Sequence, residues 1–332
     1  MANVAAQTLD GALTLAALAV CLAALYLVFL AVAAVACRRR VPPAGPGMRR
    51  FALLVPAHDE ALTIERLLGS LAGLDYTRER WVAHVVADNC ADETAEVVRR
   101  FAASHPGVDL RVHERFDEGL KAKGYALAWL LERLRAGEER YDAYVVLDAD
   151  SVVSANFLAA MDARLEQGSR VVQAYYTVLN AGESALAALR YAALAAIHYA
   201  RPLGRAALGL SCGLKGNGMC FAAEVLEGRG WTAHGLAEDV ELHLALVAEG
   251  LRVDFAPEAT VLADMPVSFR QAAAQNRRWE RGRVDVLRGV VPRLLLRGVV
   301  GRSPVRLDAA LEQLIPPISV PVALGGLLAL TG

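Results

Sequence analysis

Five groupings in this sequence have the residue types and spacing that chemistry on a phosphate-bearing ligand requires. Asp148 and Asp150 stand one residue apart just after the apolar run YVVL. Two carboxylates at a strand end can offer oxygens to a hard cation bridging a diphosphate, although acidic pairs also occur there without a metal. Asp88 follows VAHVVA, where a carboxylate can accept hydrogen bonds from a ribose or a nucleobase; Asp92, a little further on, is equally suited to capping the next helix. Lys121 and Lys123 lie in GLKAKGYAL, at the start of a helical pattern. Cations there oppose the helix macrodipole, so phosphate contact accounts for them better than a solvated face. Glu238 and Asp239, in AEDVEL, enter another helix; they suit its positive end, and one of them is equally placed to act as a general base. Gln275, Arg278 and Trp279, in QNRRWERG, put an amide, a guanidinium and an indole within two turns. That set fits diphosphate contacts and ring stacking, and also an arginine and tryptophan anchor at a membrane interface.

The elements that must carry these residues are legible from apolar periodicity. FALLV (51–55), VAHVVA (82–87) and YVVL (144–147) read as strands, while Ile64, Leu67, Leu68 and Leu71, and again Ala126, Leu130 and Leu134, fall at helical spacing. Strands alternating with helices predict an α/β domain with a mainly parallel sheet covered by helices. Ligands of such sheets bind beyond the carboxyl ends of the strands. Asp59 and Glu60 follow the first strand, Asp88 the second, and Asp148 with Asp150 the third. The acids therefore converge on one edge. The second half is less regular: an alanine-rich helical stretch over 183–198, a glycine-rich turn over 213–218, and a helix expected from Glu238.

The chain of 332 residues is 55% hydrophobic, more than one soluble α/β domain needs. Residues 11–36 carry no charge. As a helix they would reach about 39 Å, enough to cross a hydrocarbon core of about 30 Å with some tilt. Only Asp10 is charged before this stretch, whereas Arg38, Arg39, Arg40, Arg49 and Arg50 follow it. The positive-inside rule thus places the N-terminus outside and the folded part in the cytoplasm, at the inner or plasma membrane. The reading divides the chain into a transmembrane helix (1–37), a basic Pro/Gly linker (38–50), a cytoplasmic domain (51–284), amphipathic interfacial helices (285–312) broken at Pro292, and a C-terminal membrane segment (313–332). Nine arginines between 277 and 306, against Glu280 and Asp285, suit anionic lipid headgroups and a phosphate-bearing ligand better than nucleic acid, for which there is no recognisable reading module. Five cysteines without a CxxC pair indicate neither a disulfide framework nor a structural zinc site.

Taken in order, PAHDE, ADNCADET, KGYAL, DADS, GNGMCF, EDVEL and QNRRW resemble the membrane-bound family-two glycosyltransferases. That group includes cellulose, hyaluronan and poly-N-acetylglucosamine synthases and ceramide glucosyltransferases. The resemblance implies a glycosyltransferase A fold, a nucleotide-sugar donor such as a UDP-sugar, and a divalent cation, Mg2+ or Mn2+. It implies that Asp59, Glu60 and Asp88 hold the nucleoside, that Lys123 approaches the diphosphate, and that Asp148 and Asp150 hold the metal and donor. Asp239, beside Glu238, would be the base. Gln275, Arg278 and Trp279 would close over the diphosphate and the acceptor end, and Gly216, Asn217 and Gly218 would floor the acceptor pocket. The implied reaction is an inverting transfer of a hexose or N-acetylhexosamine to a glycan hydroxyl, as in polysaccharide synthases. A lipid-directed transfer of one sugar shares every motif. Ala237 stands where cellulose synthases carry threonine, and the stretch after QNRRW is short for a translocation channel. DADSV also resembles the opening of haloacid-dehalogenase phosphohydrolases, but there the motif ends the first strand, and EDVEL and QNRRW would go unexplained.

Overall fold

The computed structural model describes residues 2–36, 47–265 and 281–315. An eight-stranded sheet forms its centre: β1 (Phe51–Ala57), β2 (Trp81–Asp88), β3 (Leu110–Arg115), β4 (Ala143–Val146), β5 (Ser151–Val153), β6 (Val171–Val178), β7 (Met219–Ala222) and β8 (Asp254–Ala263). Their order across the sheet is β3-β2-β1-β4-β7-β6-β8-β5. The first four strands are parallel, in the register Phe51↔Trp81 and Phe51↔Ala143, so their carboxyl ends lie along one edge. The sheet as a whole is mixed but mainly parallel, as expected: four of its seven strand pairings, that of β6 with β8 included, run parallel. β7 runs antiparallel to both β4 and β6, and β5 runs antiparallel to β8.

Alternation along β1 sorts its side chains to two faces. Phe51, Leu53 and Val55 pack with Ile64, Leu67, Leu68 and Leu71 of α2 (Ile64–Ala72), with Val97, Val98 and Phe101 of α3 (Thr94–Ser104), and with Phe157, Leu158 and Met161 of α5 (Phe157–Glu166). Ala52 and Leu54 face Ala126, Leu127, Leu130 and Leu131 of α4 (Lys123–Ala136), together with α8 (Ala223–Arg229) and α9 (Glu238–Ala248). The helical spacings in the sequence are thus the buried faces of α2 and α4.

Outside the sheet, α1 (Ala2–Ala36) includes a stretch, Leu13–Ala36, with a mean hydropathy of 2.8. It is long and apolar enough to cross a membrane. Most of its large apolar side chains face outward, but Leu30 and Ala33 are buried. The contact is with α7 (Arg201–Ala207), which follows α6 (Ala185–Ala195) and a π-helical turn, Ala196–Ala200. A Cβ on Gly204 would lie 2.2 Å from the Leu30 carbonyl oxygen, so only glycine allows this approach. At the other end, helical backbone over 281–289 gives way to α10 (Val291–Val300), with Pro292 in its first turn, and then α11 (Pro304–Leu314). Val286, Val291, Leu294, Ala309 and Ala310 bury themselves against Leu244 and Val247 of α9. Leu296, Val299 and Val300 of α10 remain exposed.

Candidate active site

A cavity of about 440 Å³ opens at the carboxyl ends of β1 and β2. Its wall includes Glu60, Asp88, Asn89, Lys121 and Lys123, with the backbone from Pro56 to His58. Asp88 ends β2 and is nearly buried, and Arg115, at the end of the neighbouring β3, donates to its Oδ1 at 2.6 Å. Arg115 also donates to Asp117 at 3.0 Å and to the Leu120 carbonyl at 3.0 Å. The strand-end acid is therefore fixed by a guanidinium that sequence reasoning did not single out.

Asp59 occupies the left-handed backbone region, with φ of 56°. Its Oδ1 accepts the N–H groups of Ala91 at 2.7 Å and Asp92 at 3.3 Å. Asp92 in turn accepts the N–H of Ala61 at 3.0 Å and that of Thr94 at 3.0 Å. These bonds clasp the β1 and β2 loops; desolvation pushes the Asp92 carboxyl up, but the Thr94 hydroxyl and the Ala61 and Thr94 N–H groups outweigh it and hold the carboxyl below its ordinary pKa. Ligand atoms of Asp59, Cys90 and Asp92 lie within 4.8 Å of one another, the separation a shared ion requires. Asp59 Oδ1 and both oxygens of Asp92 already accept backbone N–H groups.

Asp148 and Asp150 follow β4. Lys123, at the start of α4, places its ammonium on Asp148 Oδ1 and donates to the Gly216 carbonyl at 2.6 Å. The backbone N–H of Asp148 donates to Asn217 Oδ1 at 3.1 Å, and Asn217 Nδ2 donates to Ser151 Oγ at 2.7 Å. Gln173, buried in β6, donates to the Asn217 carbonyl at 2.7 Å and accepts the Lys215 N–H at 2.9 Å. Thus the glycine-rich turn and the acid pair form one hydrogen-bonded unit. Gln173 left a signal, an amide within the otherwise apolar strand VVQAYYTV, that could have been read from the sequence. Burial, and then the charges of Asp148 and Glu60, push the Asp150 carboxyl up to about 6. An all-oxygen set under such mutual repulsion suits a hard divalent cation.

Glu238 and Asp239 open α9. Gly124 and the loop before α9 make the approach possible: a Cβ on Gly124 would lie 2.2 Å from the Ala233 carbonyl oxygen, and Tyr125 stacks on His234 at 4.4 Å. This contact brings Lys123 within 4.0 Å of Glu238. Burial raises Glu238 to about 7, with Lys123 opposing and Asp239 reinforcing the shift. Asp239 is also raised by burial, against the Val240 N–H at 2.9 Å and the charges of Lys215 and Lys123. Lys123 stays above lysine's ordinary value: burial works against its charge, but Asp148, Glu238 and Asp239 outweigh it.

In the glycine-rich turn, the missing Cβ of Gly216 would lie 3.6 Å from Asp239 Oδ2, so Gly216 borders the acid directly. Gly218 instead backs onto Val261 and Ala174, whose side chains would be 2.7 and 2.9 Å from a Cβ there. Gly218 serves the sheet, Asn217 the acid pair, and Gly216 the space beside Asp239. Gln275, Arg278 and Trp279 lie outside the described residues, as do residues 316–332 of the expected C-terminal membrane segment.

An open α/β sheet with carboxylates, a lysine and a cavity at its carboxyl edge defines a nucleotide-binding class of protein. The profile of glycosyltransferase-like family 2 matches residues 46–282, more than half of the chain, and the chain belongs to that family. A probable glycosyltransferase of Bacillus subtilis, YdaM, is 24% identical over 236 residues, covering 70% of this chain and 55% of the relative. Glucomannan 4-beta-mannosyltransferase 1 of Oryza sativa subsp. japonica is 25% identical over 242 residues, covering 70% and 45%. The chain spans about half the length of these curated relatives. The fold matches that of the mannosyltransferase PcManGT from Pyrobaculum calidifontis, solved with GDP-Man and Mn2+, with a TM-score of 0.66 at 20% identity, over 96% of this chain and 90% of that one.

Proposed function

We propose that this protein transfers a sugar from a nucleoside diphosphate sugar to an acceptor hydroxyl, with inversion, at a membrane surface. The observation that carries this reading is the meeting of two sets of groups around Lys123: the donor-side acids after β4, and the paired acids that open α9. Asp88 and Glu60 line the cavity that would take the nucleoside, and Asp59 holds its loop. Asp148 and Asp150 would hold a divalent cation, which when bound supplies charge stabilisation to the departing diphosphate. Lys123 adds a positive charge on the same side. Asp239 takes the proton of the acceptor hydroxyl; the oxygen forms a bond to the anomeric carbon as the carbon–phosphate oxygen bond breaks on the opposite face. Glu238 orients Lys123. Gln275, Arg278 and Trp279 are proposed to contact the diphosphate and the acceptor end, with Trp279 and Gly216 around the acceptor.

The donor base is open between uridine and guanosine. A UDP-sugar follows from the motifs, and the GDP-Man bound by PcManGT supports including GDP-mannose. The acceptor is a glycan, as in polysaccharide synthases. A lipid-linked acceptor is the second reading, supported by the exposed apolar face of α10 close to α9. The apolar stretch Leu13–Ala36 is proposed as a membrane anchor, with the sheet domain on the cytoplasmic side.

The test is nucleotide release by the detergent-purified chain across UDP- and GDP-sugars, with Mn2+, Mg2+ or chelator. Metal-dependent release with one donor is expected. Absence of release with every donor, together with Asp148-dependent cleavage of a phosphate monoester, would replace this reading by a phosphohydrolase.

A further inference from the structure

Behind Asp239 lies a buried ionic chain that the reaction as described does not use. Arg205 of α7 has no exposed surface. Its Nε donates to Asp308 Oδ2 at 2.9 Å, its Nη1 to Glu312 Oε1 at 2.6 Å, and its Nη2 to the Tyr26 hydroxyl of α1 at 2.9 Å. The Tyr26 hydroxyl donates to Asp308. Glu312 Oε1 is also 4.0 Å from the Lys215 ammonium. The position a Gly213 Cβ would occupy lies 3.3 Å from Lys215 Nζ, 3.8 Å from Glu312 Oε2 and 3.9 Å from His243 Cε1, so the bare glycine leaves room for these groups to converge. Next to Lys215 in the chain, Gly216 borders the Asp239 carboxylate.

Buried ion pairs stabilise a fold little more than apolar side chains of similar volume would, because desolvation offsets their attraction. A chain of four charges linking α7 and α11 to the glycine-rich turn, with the Tyr26 hydroxyl of α1 bonded to it, is therefore poorly explained by stability. Glu312 is shared unequally, close to Arg205 and further from Lys215. Around the Gly213 Cβ position the ammonium shares its space with the His243 ring, which stands one helical turn after Asp239 on α9. Burial lowers the Lys215 pKa, with Glu312 and Asp239 opposing that shift.

We propose that Lys215 is a positioning residue for the Asp239 carboxylate, and that Glu312 and Arg205 lock it to α1, so that elements outside the sheet complete the active site. The inference rests on the reading of Asp239 as the base. Charges that act on Asp239 are those of Lys215 from the turn before β7, Lys123 from α4 and Glu238 from its own helix, whose Val240 N–H it accepts. Removing Lys215 deprives the carboxylate of one of two cations that favour its ionised form.

The test uses the full chain in detergent, with acceptor-dependent nucleotide release followed against pH at saturating donor. For Lys215→Met, kcat falls about tenfold to a hundredfold, less than the loss of the base itself, which is worth about 10²–10⁴. The donor KM stays within about twofold, and the acid limb of kcat moves to higher pH. Lys215→Arg restores most of the rate. Glu312→Gln lowers kcat in the same direction, and the Lys215→Met/Glu312→Gln pair is no worse than the more damaging single change, since the two act as a unit. If Lys215→Met does not fold, Lys215→Gln is read the same way. A kcat and acid limb unchanged in the lysine variant, with Asp239→Asn inactive, overturns the inference and leaves the base reading intact. Activity surviving in Asp239→Asn overturns the base reading itself, and the inference with it.

Discussion

The parallel half of the sheet, β1 to β4, and the half that carries β6 to β8 with α9 hold their functional residues by different means. In the first, acids stand at strand ends that the register brings level, and the helices between them pack by simple periodicity. In the second, the acids of α9 are set by a close backbone approach at Gly124, by contact of the Asp239 side chain with Gly216, and by a chain of buried charges from α11 and α7. Local pattern builds the proposed donor edge, whereas long-range polar contacts hold the proposed base. Damage should differ accordingly: loss of packing or stability in the first half, loss of turnover without loss of fold in the second.

The largest effect expected is from Asp239→Asn. It should lower kcat by about 10²–10⁴ while the thermal midpoint and the nucleotide Kd stay near those of the unaltered protein. In the parallel half, Leu54→Ala empties a fully buried position under α4 and should cost about 2–5 kcal/mol, read by denaturant unfolding. A loss below 1 kcal/mol would mean that this face is not the packed core. Asn217→Ala joins the two halves. It removes the acceptor of the Asp148 N–H and the donor to Ser151, costing about 1–3 kcal/mol in stability, and weakens Mn2+ activation in a metal titration.

A smaller and purely structural test uses pH. His84 in β2 contacts His113 Nε2 at 3.1 Å and the Tyr141 hydroxyl at 2.9 Å. Burial, then the His113 charge, lowers it to about 3. Between that value and the free histidine pKa of about 6.5, the unfolded chain binds the extra proton. Stability should therefore fall as pH is lowered through this window, by at most about 1.4 kcal/mol per pH unit from this group, and His84→Gln should flatten the slope. The smallest effect belongs to Arg170→Ala, which breaks an exposed pair with Glu224 at 2.7 Å and should change stability by about 0–1 kcal/mol.

These differences also explain what was legible in the sequence. Strand-end acids and helix stripes depend on neighbours a few residues away, so Asp88, Asp148, Asp150 and the faces of α2 and α4 could be read directly. The antiparallel place of β7 could not, because it is set by pairing with β4 and β6, both distant in sequence. Arg115, Gln173, Lys215 and Glu312 take their roles from contacts with residues between 27 and 107 positions away. Gln173 alone gave a hint, as an amide in a buried strand. Gly218 shows the reverse case: a glycine read as floor for a ligand is pressed against Val261 and Ala174.

The most direct test of the central claim, that a donor edge and a separately built base meet at Lys123, is calorimetric titration of the purified chain with UDP or GDP in the presence and absence of Mn2+. Unaltered protein, Asp150→Asn and Asp239→Asn would be compared, with turnover measured on the same samples. The account predicts that Asp150→Asn loses the Mn2+-dependent part of nucleotide binding and its turnover, while Asp239→Asn binds like the unaltered protein and does not turn over. Undiminished Mn2+-dependent binding in Asp150→Asn, or loss of nucleotide binding in Asp239→Asn, would contradict it.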